Sequence, residues 1–266
     1  MMLEWSMFLD DINPVLEIAI ILVVILTVIV AIWAGFLQLT IFFRYSRYNR
    51  IQVGQRTAKQ VAEDLLQRAG ITDVDVVRTS NWWFFLFNRW GNRYSPRRKK
   101  ILLYGNILNS STLTAIGLAT QKVGLAIQFK EGERKMMFRA KWELWTRPAP
   151  NLFLPIISIG LVVDLLINGG NFEASAFGYV TLIFVGLAIL YTIIALVALF
   201  YVIPTERRAG EIALDLIKRH NLLEQNHIGM ISDYYAVQVR IYVLDFVLAV
   251  LNIILDILWL IAKLKR

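Results

Sequence analysis

The chain contains no cysteine and only two histidines, His220 and His227, among its 266 residues. The absence of cysteine excludes disulfides, thiolate nucleophiles and cysteine-ligated metals. The two histidines lie seven positions apart, which is not the i, i+4 spacing by which one helix presents two imidazoles to zinc. We therefore expect the protein to carry no metal or other cofactor.

Basic residues are also missing from the start of the chain. No lysine or arginine precedes Arg44, whereas the segment from Arg44 to Arg147 contains 20 basic and 7 acidic residues. Since basic segments beside apolar spans stay on the cytoplasmic side, this block predicts a cytoplasmic region, with residues 1–14 outside. No nucleic-acid-binding fingerprint accompanies the basic residues, so no nucleic acid partner is expected.

Apolar residues dominate the composition. They make up 57% of the chain, and its mean hydropathy is +0.55, which is more apolar than an ordinary soluble protein. Apolar runs long enough to cross a bilayer predict a multi-pass α-helical membrane protein. The predicted spans are residues 15–43, 151–167, 176–203 and 241–262. The last of them is either a fourth transmembrane helix or an interfacial helix.

The region 44–150, between the first and second predicted spans, has the pattern of an α+β domain. Capping-box spacing at 57–60 predicts the start of a helix, and residues 73–79 and 100–104 are predicted strands. Residues 110–130 predict an apolar helix that begins with a Ser or Thr cap. Polar residues near its middle favour burial in a core over a membrane span.

A second cytoplasmic segment is predicted at residues 204–240. Pro204 follows the third predicted span and is expected to return the chain to the cytoplasmic side. The apolar periodicity that follows predicts a helix from Glu206 to His220.

An aromatic segment lies between the two predicted strands. It is either a buried hairpin or a loop that enters the membrane interface, where tryptophan is favoured. Basic residues from Arg89 to Lys100 favour the interfacial alternative, because they can meet anionic headgroups. The aromatic residues are Trp82, Trp83, Phe84, Phe85 and Trp90.

The last apolar segment carries three polar side chains. Asp245, Asn252 and Asp256 are spaced i, i+7 and i+11, so a helix would place them on one stripe. Acids within a membrane face a bundle interior, a partner or water, and are functional candidates. The alternative is that this helix lies partly at the interface, with its acids in contact with water.

Four stretches of the chain resemble a known family. They follow one another in the family's order and spacing, and they lead into the segment Thr120–Gln128. The stretches are Phe43–Ser46, Gly70–Val74, Tyr94–Ile101 and Ala115–Thr120. In this respect the chain resembles the membrane-bound neutral zinc metallopeptidases (zinc-peptidase type 2).

The resemblance implies a zincin-like α+β fold for the cytoplasmic region and locates the family's metal site. The family's HExxH positions correspond here to Gln121, Lys122 and Leu125. An amide is a poor zinc ligand, a leucine side chain is none, and an ammonium group would repel the cation. Glu206 remains at the position of the third ligand, but Arg208 replaces the family's Asp. The resemblance therefore predicts a pseudopeptidase with no catalytic residues.

Two interpretations of Glu206 remain open from the sequence. One is an ordinary glutamate near a helix N-terminus, where the helix dipole or an arginine stabilises it. The other is a salt bridge with Lys122 in the place of the metal. The second hypothesis requires residues 84 positions apart in the chain to meet.

These observations predict an inactive metallopeptidase homologue that acts as a structural or regulatory subunit of a membrane protein complex. Its location would be a bacterial-type cytoplasmic (inner) membrane. The expected partners are membrane lipids and either other membrane proteins or further copies of the chain. The alternative function is a proton- or ion-handling component that uses the acids of the last helix.

Overall fold

The computed structural model describes residues 14–79, 92–146, 149–171 and 178–264. The chain divides into two units, each built from several stretches of sequence. The apolar unit comprises Met1–Phe36, Leu144–Leu199 and Val243–Arg266, and the polar unit comprises Leu37–Glu143 and Phe200–Tyr242. The aromatic residues from Trp82 to Trp90 lie outside the described residues.

Most of the polar unit's helices and strands come from its first stretch. They are α2 (Ala58–Arg68), β1 (Asp75–Arg78), β2 (Arg93–Ser95), β3 (Lys100–Leu103), α3 (Gly105–Leu108), α4 (Leu113–Lys130) and α5 (Arg134–Thr146). The capping box predicted at the start of α2 is confirmed. The Thr57 hydroxyl accepts from the Gln60 amide, and the Gln60 side chain accepts from the Thr57 amide.

The three strands form one small sheet in the order β1-β3-β2. Strand β3 pairs in parallel with β1 and antiparallel with β2, so Ile101 lies opposite both Val76 and Tyr94. The sequence predicted β1 and β3 and missed β2. A strand of three residues is too short to show an alternating pattern.

Helix α4 is the centre of the polar unit. Thr112, one of the three candidate caps that the sequence offers at 110–112, is its N-cap, with the side-chain oxygen accepting from the Ala115 amide at 3.4 Å. Almost every residue of the helix is buried, including all of its polar ones except Lys130. Residues Leu65, Ile101 and Ile217 belong to the same hydrophobic core. The prediction of a buried core helix is therefore confirmed.

The remaining elements are four helices that contain the long apolar stretches. They are α1 (Pro14–Tyr48), α6 (Ala149–Ile167), α7 (Tyr179–Arg219) and α8 (Gln225–Leu264). Residues Pro14–Tyr48 and Gln225–Leu258 are long and apolar enough to cross a membrane, whereas Ile156–Ile167 and Tyr179–Ile194 are shorter apolar stretches. The part of the chain that the structure describes is thus mostly helical, with two candidate membrane-spanning helices and one small sheet.

Helix α7 runs through Pro204, so the third predicted span and the helix predicted from Glu206 to His220 belong to one continuous helix. Proline removes one backbone donor from a helix. The Thr205 hydroxyl lies 3.0 Å from the Tyr201 carbonyl oxygen and 2.9 Å from that of Val202. Thr205 thus adds side-chain contacts to the turn that precedes the proline.

Within the apolar unit, a buried carboxylate connects α6 to the start of α7. The Asp164 carboxylate accepts a hydrogen bond from the Thr181 amide at 2.6 Å, and both residues are buried. A carboxylate at a helix N-terminus satisfies donors that have no partner within the helix. Asp164 therefore has a structural role in pairing these two helices.

Candidate functional site

The polar side chains of α4 meet α7 where the two helices approach most closely. Gly124 of α4 packs against the backbone of α7 at Ala209. A Cβ atom at position 124 would lie 2.6 Å from the Ala209 carbonyl oxygen. Only glycine permits this approach of helix to backbone. The contact brings Gln121 and Lys122 of α4 within hydrogen-bonding distance of Glu206 on α7.

Three side chains donate to the Glu206 carboxylate. One oxygen, Oε2, lies 3.2 Å from the Lys122 ammonium nitrogen and 3.2 Å from the Gln121 amide nitrogen. The other oxygen, Oε1, lies 2.7 Å from a guanidinium nitrogen of Arg139 on α5. The salt bridge between Lys122 and Glu206 that the sequence suggested is therefore present.

The network is closed to solvent. Glu206 is 2% exposed, Lys122 is 3% exposed and Gln121 is fully buried. Arg139 reaches the carboxylate from the edge of the network, with 15% of its side chain exposed. Charges removed from water are stable only when they are paired and hydrogen-bonded, and both oxygens of Glu206 meet this condition.

The environment keeps Glu206 ionised. Burial by itself would raise the pKa of its carboxyl group, but the charges of Lys122 and Arg139, with the hydrogen bonds from both, outweigh burial and lower the pKa to about 2. A carboxylate that accepts several hydrogen bonds beside cations resists protonation. Glu206 is thus an anion throughout the physiological pH range.

A second layer of contacts fixes Thr205, the residue before Glu206. Arg139 also donates to the Thr205 hydroxyl at 2.8 Å, and the Gln128 amide donates to the Thr205 carbonyl oxygen at 3.1 Å. The side-chain oxygens of Gln121 and Gln128 are buried and accept no hydrogen bond within the described residues. Every donor in this layer is directed at the segment that follows Pro204.

The remaining position of the predicted site, Leu125, lies one helical turn after Gln121. It is 1% exposed and belongs to the hydrophobic core of the polar unit. Its isobutyl group contributes packing and offers no ligand atom. The descent of these positions from metal ligands and a general base stays a prediction. The four residues are Gln121, Lys122, Leu125 and Glu206.

The side chains at this site do not fit a zinc ion. Zinc sites use His, Cys, Asp or Glu, with at least three protein ligands, and here Glu206 is the only such residue. Its two oxygens already bind a lysine and an arginine. Over the described parts of the chain, no group of three or more potential ligands is arranged to bind a metal.

The predicted polar stripe lies on α8. Asp245 and Asp256 are half-buried and Asn252 is exposed. All three are in the apolar part of the helix.

Sequence reasoning missed Arg139, Gln128 and Thr205. No local motif marks them, because a single arginine, glutamine or threonine in a helix is ordinary. The one available signal was the charge balance: a carboxylate buried with Lys122 needs further donors to be stable. Only the folded arrangement shows that Arg139 donates to Glu206.

A family model described as putative neutral zinc metallopeptidase matches residues 20–261. The match covers most of the chain, and the chain belongs to this family, which confirms the resemblance found in its sequence. Its lack of a metal-ligand group within the described residues fits a degenerate member. Searches of curated proteins and of solved structures gave no match.

Proposed function

We propose that this protein is a catalytically inactive member of its family that acts as a structural or regulatory subunit of a membrane protein complex. The HExxH positions are taken by Gln121, Lys122 and Leu125, so the Lewis acid and the general base of a metallopeptidase are lost together. At these three positions no side chain can hold zinc or act as its general base.

The observation that carries this proposal is the pairing of the buried Glu206 carboxylate with two cations. In a zinc site this carboxylate would bind the metal, whereas here it binds Lys122 and Arg139. The residues around it are buried, and α4 contacts the backbone of α7 at Gly124. A substrate would have no route to this carboxylate without separation of the two helices.

We further propose that the protein is a multi-pass protein of a bacterial-type inner membrane, with its N-terminus outside. Large apolar residues of α1, such as Trp33 and Phe36, are exposed. Exposed apolar surface of this kind supports contact with lipid. The charge pattern supports the orientation, because the basic residues that follow α1 favour the cytoplasmic side.

Metal analysis of the purified full-length protein tests the loss of the metal site. We expect no stoichiometric zinc and no peptide hydrolysis from the natural sequence. A variant with Gln121→His, Lys122→Glu and Leu125→His is the positive control, because it adds two imidazoles beside Glu206 and should gain zinc. About one zinc per chain in the unaltered protein would refute the proposal.

Isolation from native membranes tests the role as a subunit. In several mild detergents we expect the protein to migrate as a defined assembly with a fixed partner, or with further copies of itself. The same preparation after Gly124→Ala should show whether the assembly depends on the fold of the polar unit. Recovery of a monomer under all conditions would contradict a role in a complex.

The half-buried acids of α8 support a second candidate function, the transfer of protons or ions. Asp245 and Asp256 lie in an apolar helix segment, where acids commonly mark conduction routes. Flux across liposomes that Asp245→Asn and Asp256→Asn abolish would favour this function. Absence of flux from the unaltered protein would eliminate it.

A further inference from the structure

Helix α5 has two faces of different chemistry. Met136 and Ala140 are buried, and Arg139 points to Glu206, so this side packs into the polar unit. The opposite side exposes Arg134, Lys135, Met137 and Lys141. We call these four residues the basic face of α5.

Aromatic rings border the basic face. Phe138 lies with its ring centroid 4.1 Å from that of Tyr201 and 6.0 Å from that of Trp142. Phe200, which is 58% exposed, has its ring centroid 5.9 Å from that of Tyr201. Clusters of tryptophan and tyrosine beside cations are typical of the zone where a protein meets lipid headgroups.

The charges of this face are available to a ligand. Within the described residues, Arg134, Lys135 and Lys141 make no ion pair, in contrast to the many paired cations of α2 and α7. Arg97 donates to the Lys141 carbonyl oxygen at 3.1 Å. This hydrogen bond places a further exposed guanidinium beside the basic face. The nearest acid before the helix, Glu133, is engaged by Arg208.

The basic face and its aromatic rings are close in the chain to apolar helices. Helix α5 ends at Thr146 and the apolar helix α6 begins at Ala149, and two intervening residues span at most about 10 Å. Phe200 and Tyr201 likewise follow directly on the apolar stretch of α7. Both parts of the aromatic cluster are therefore close in sequence to the apolar stretches of α6 and α7, which the proposed multi-pass arrangement places in lipid.

We propose that the basic face of α5 binds the anionic phospholipid headgroups of the bilayer, with Met137 and the neighbouring aromatic rings at the level of the interface. Each cation near an anionic surface increases the affinity about fivefold, so three of them contribute roughly a hundredfold. This site is separate from the Glu206 network, and its presence does not depend on whether the family's metal site is lost.

Because the chain lacks cysteine, a single introduced thiol carries a label without background. We would place an environment-sensitive fluorophore at Met137→Cys and, as a control, at Lys59→Cys on α2. The full-length protein would be titrated in mixed micelles with phosphatidylglycerol or with phosphatidylcholine. We expect a saturable blue shift at position 137 with phosphatidylglycerol, weakened by salt, and no change at position 59.

Removal of charge provides the matched comparison. The combination Arg134→Gln, Lys135→Gln and Lys141→Gln should raise at least tenfold the phosphatidylglycerol concentration at which half of the fluorescence change occurs. Loss of the same charge elsewhere, through Lys59→Gln, Arg68→Gln and Arg219→Gln, should leave it unchanged.

Three results would overturn the proposal. They are an equal response at position 137 to both lipids, a response to inorganic phosphate as strong as that to phosphatidylglycerol, and a response of the unaltered basic face that salt does not weaken. The salt dependence is measured on the natural charges, so it decides the matter even where the triple variant does not fold.

Discussion

At the scale of single residues, Glu206 is the group on which the buried network depends. It accepts hydrogen bonds from Lys122, Gln121 and Arg139, whereas each donor has only part of its hydrogen-bonding capacity directed at the carboxylate. Removal of one partner from a buried ion pair leaves an uncompensated charge, which destabilises more than the pair itself stabilises. The partners of this network should therefore differ in their sensitivity to substitution.

We expect Glu206→Gln to destabilise the protein by about 3–5 kcal/mol, and Lys122→Met by less. The first substitution leaves two cations beside a neutral amide, whereas the second leaves Glu206 paired with Arg139. Equilibrium denaturation of the purified protein measures both. The control is Lys59→Met, which breaks an exposed pair with Glu63 and should change stability by about 0.5 kcal/mol or less. A smaller effect for Glu206→Gln than for Lys122→Met would contradict this ranking.

The lowered pKa of Glu206 predicts a loss of stability in acid. A carboxyl group with a pKa of about 2 in the folded state and an ordinary value of 4.5 when unfolded contributes its full stabilisation above about pH 5. As the pH falls towards 2 the unfolded chain binds the proton first, so this contribution is lost. Denaturation midpoints between pH 7 and pH 2.5 should fall more steeply for the natural sequence than for Glu206→Gln. Parallel pH profiles for the two proteins would show that Glu206 does not contribute.

At the scale of secondary structure, the close approach of α4 to α7 determines which side chains meet. The approach depends on Gly124, since any side chain there would meet the Ala209 carbonyl oxygen. Backbone atoms cannot move aside as a flexible side chain can, so the helices would have to separate. The two helices could not then keep the short distances of the ion pairs.

Gly124→Ala should therefore destabilise the polar unit by about 1–3 kcal/mol, although alanine is the better helix former. Gly229 in α8 is the matched control, because a Cβ atom there would meet nothing within 4 Å. Gly229→Ala should be neutral or should stabilise by up to about 1 kcal/mol. Thermal unfolding of the three proteins tests this contrast, and similar melting temperatures for all of them would refute it.

At the scale of the whole molecule, the two units differ in how they use apolar residues. The polar unit has a hydrophobic core centred on α4, whereas the apolar unit leaves large residues such as Val15 and Leu166 exposed. Apolar surface of this extent is unusual for a soluble monomer. A lipid environment removes the penalty, and it also gives the chain a defined orientation.

The proposed orientation predicts opposite labelling of two introduced thiols. Lys59→Cys, in the polar unit, should react with a membrane-impermeant reagent only in inverted vesicles, whereas Ser6→Cys should react in intact cells. The absence of natural cysteine makes each reaction specific. If both positions react from the same side, the proposed orientation is wrong.

Several features of the fold could be predicted because their signals are local. The capping box at Thr57 and the N-cap at Thr112 are short patterns that one turn of helix satisfies. The buried character of α4 followed from its length and its interior polar residues. The continuity of α7 through Pro204 was not predicted, because local propensity disfavours proline inside a helix.

The site was predictable only to the extent that the family resemblance placed its residues together. Glu206 and Lys122 could be paired as a hypothesis because the resemblance implies that both stand at positions of the family's metal site. Arg139 could not, because its partner is distant in sequence and its own helix carries no motif. Long-range packing decides which cation completes a buried pair, and one sequence holds no record of that contact.

The double pairing of Glu206 also bears on how such a protein could change over evolution. Restoration of a single histidine at position 121 or 125 would still leave a carboxylate bound to Lys122 and Arg139. Loss of Lys122 alone would reduce stability before any metal could bind. A return to the metal site that we propose was lost would thus have to break the pairs of Glu206 with Lys122 and Arg139, which costs stability before a metal can replace them.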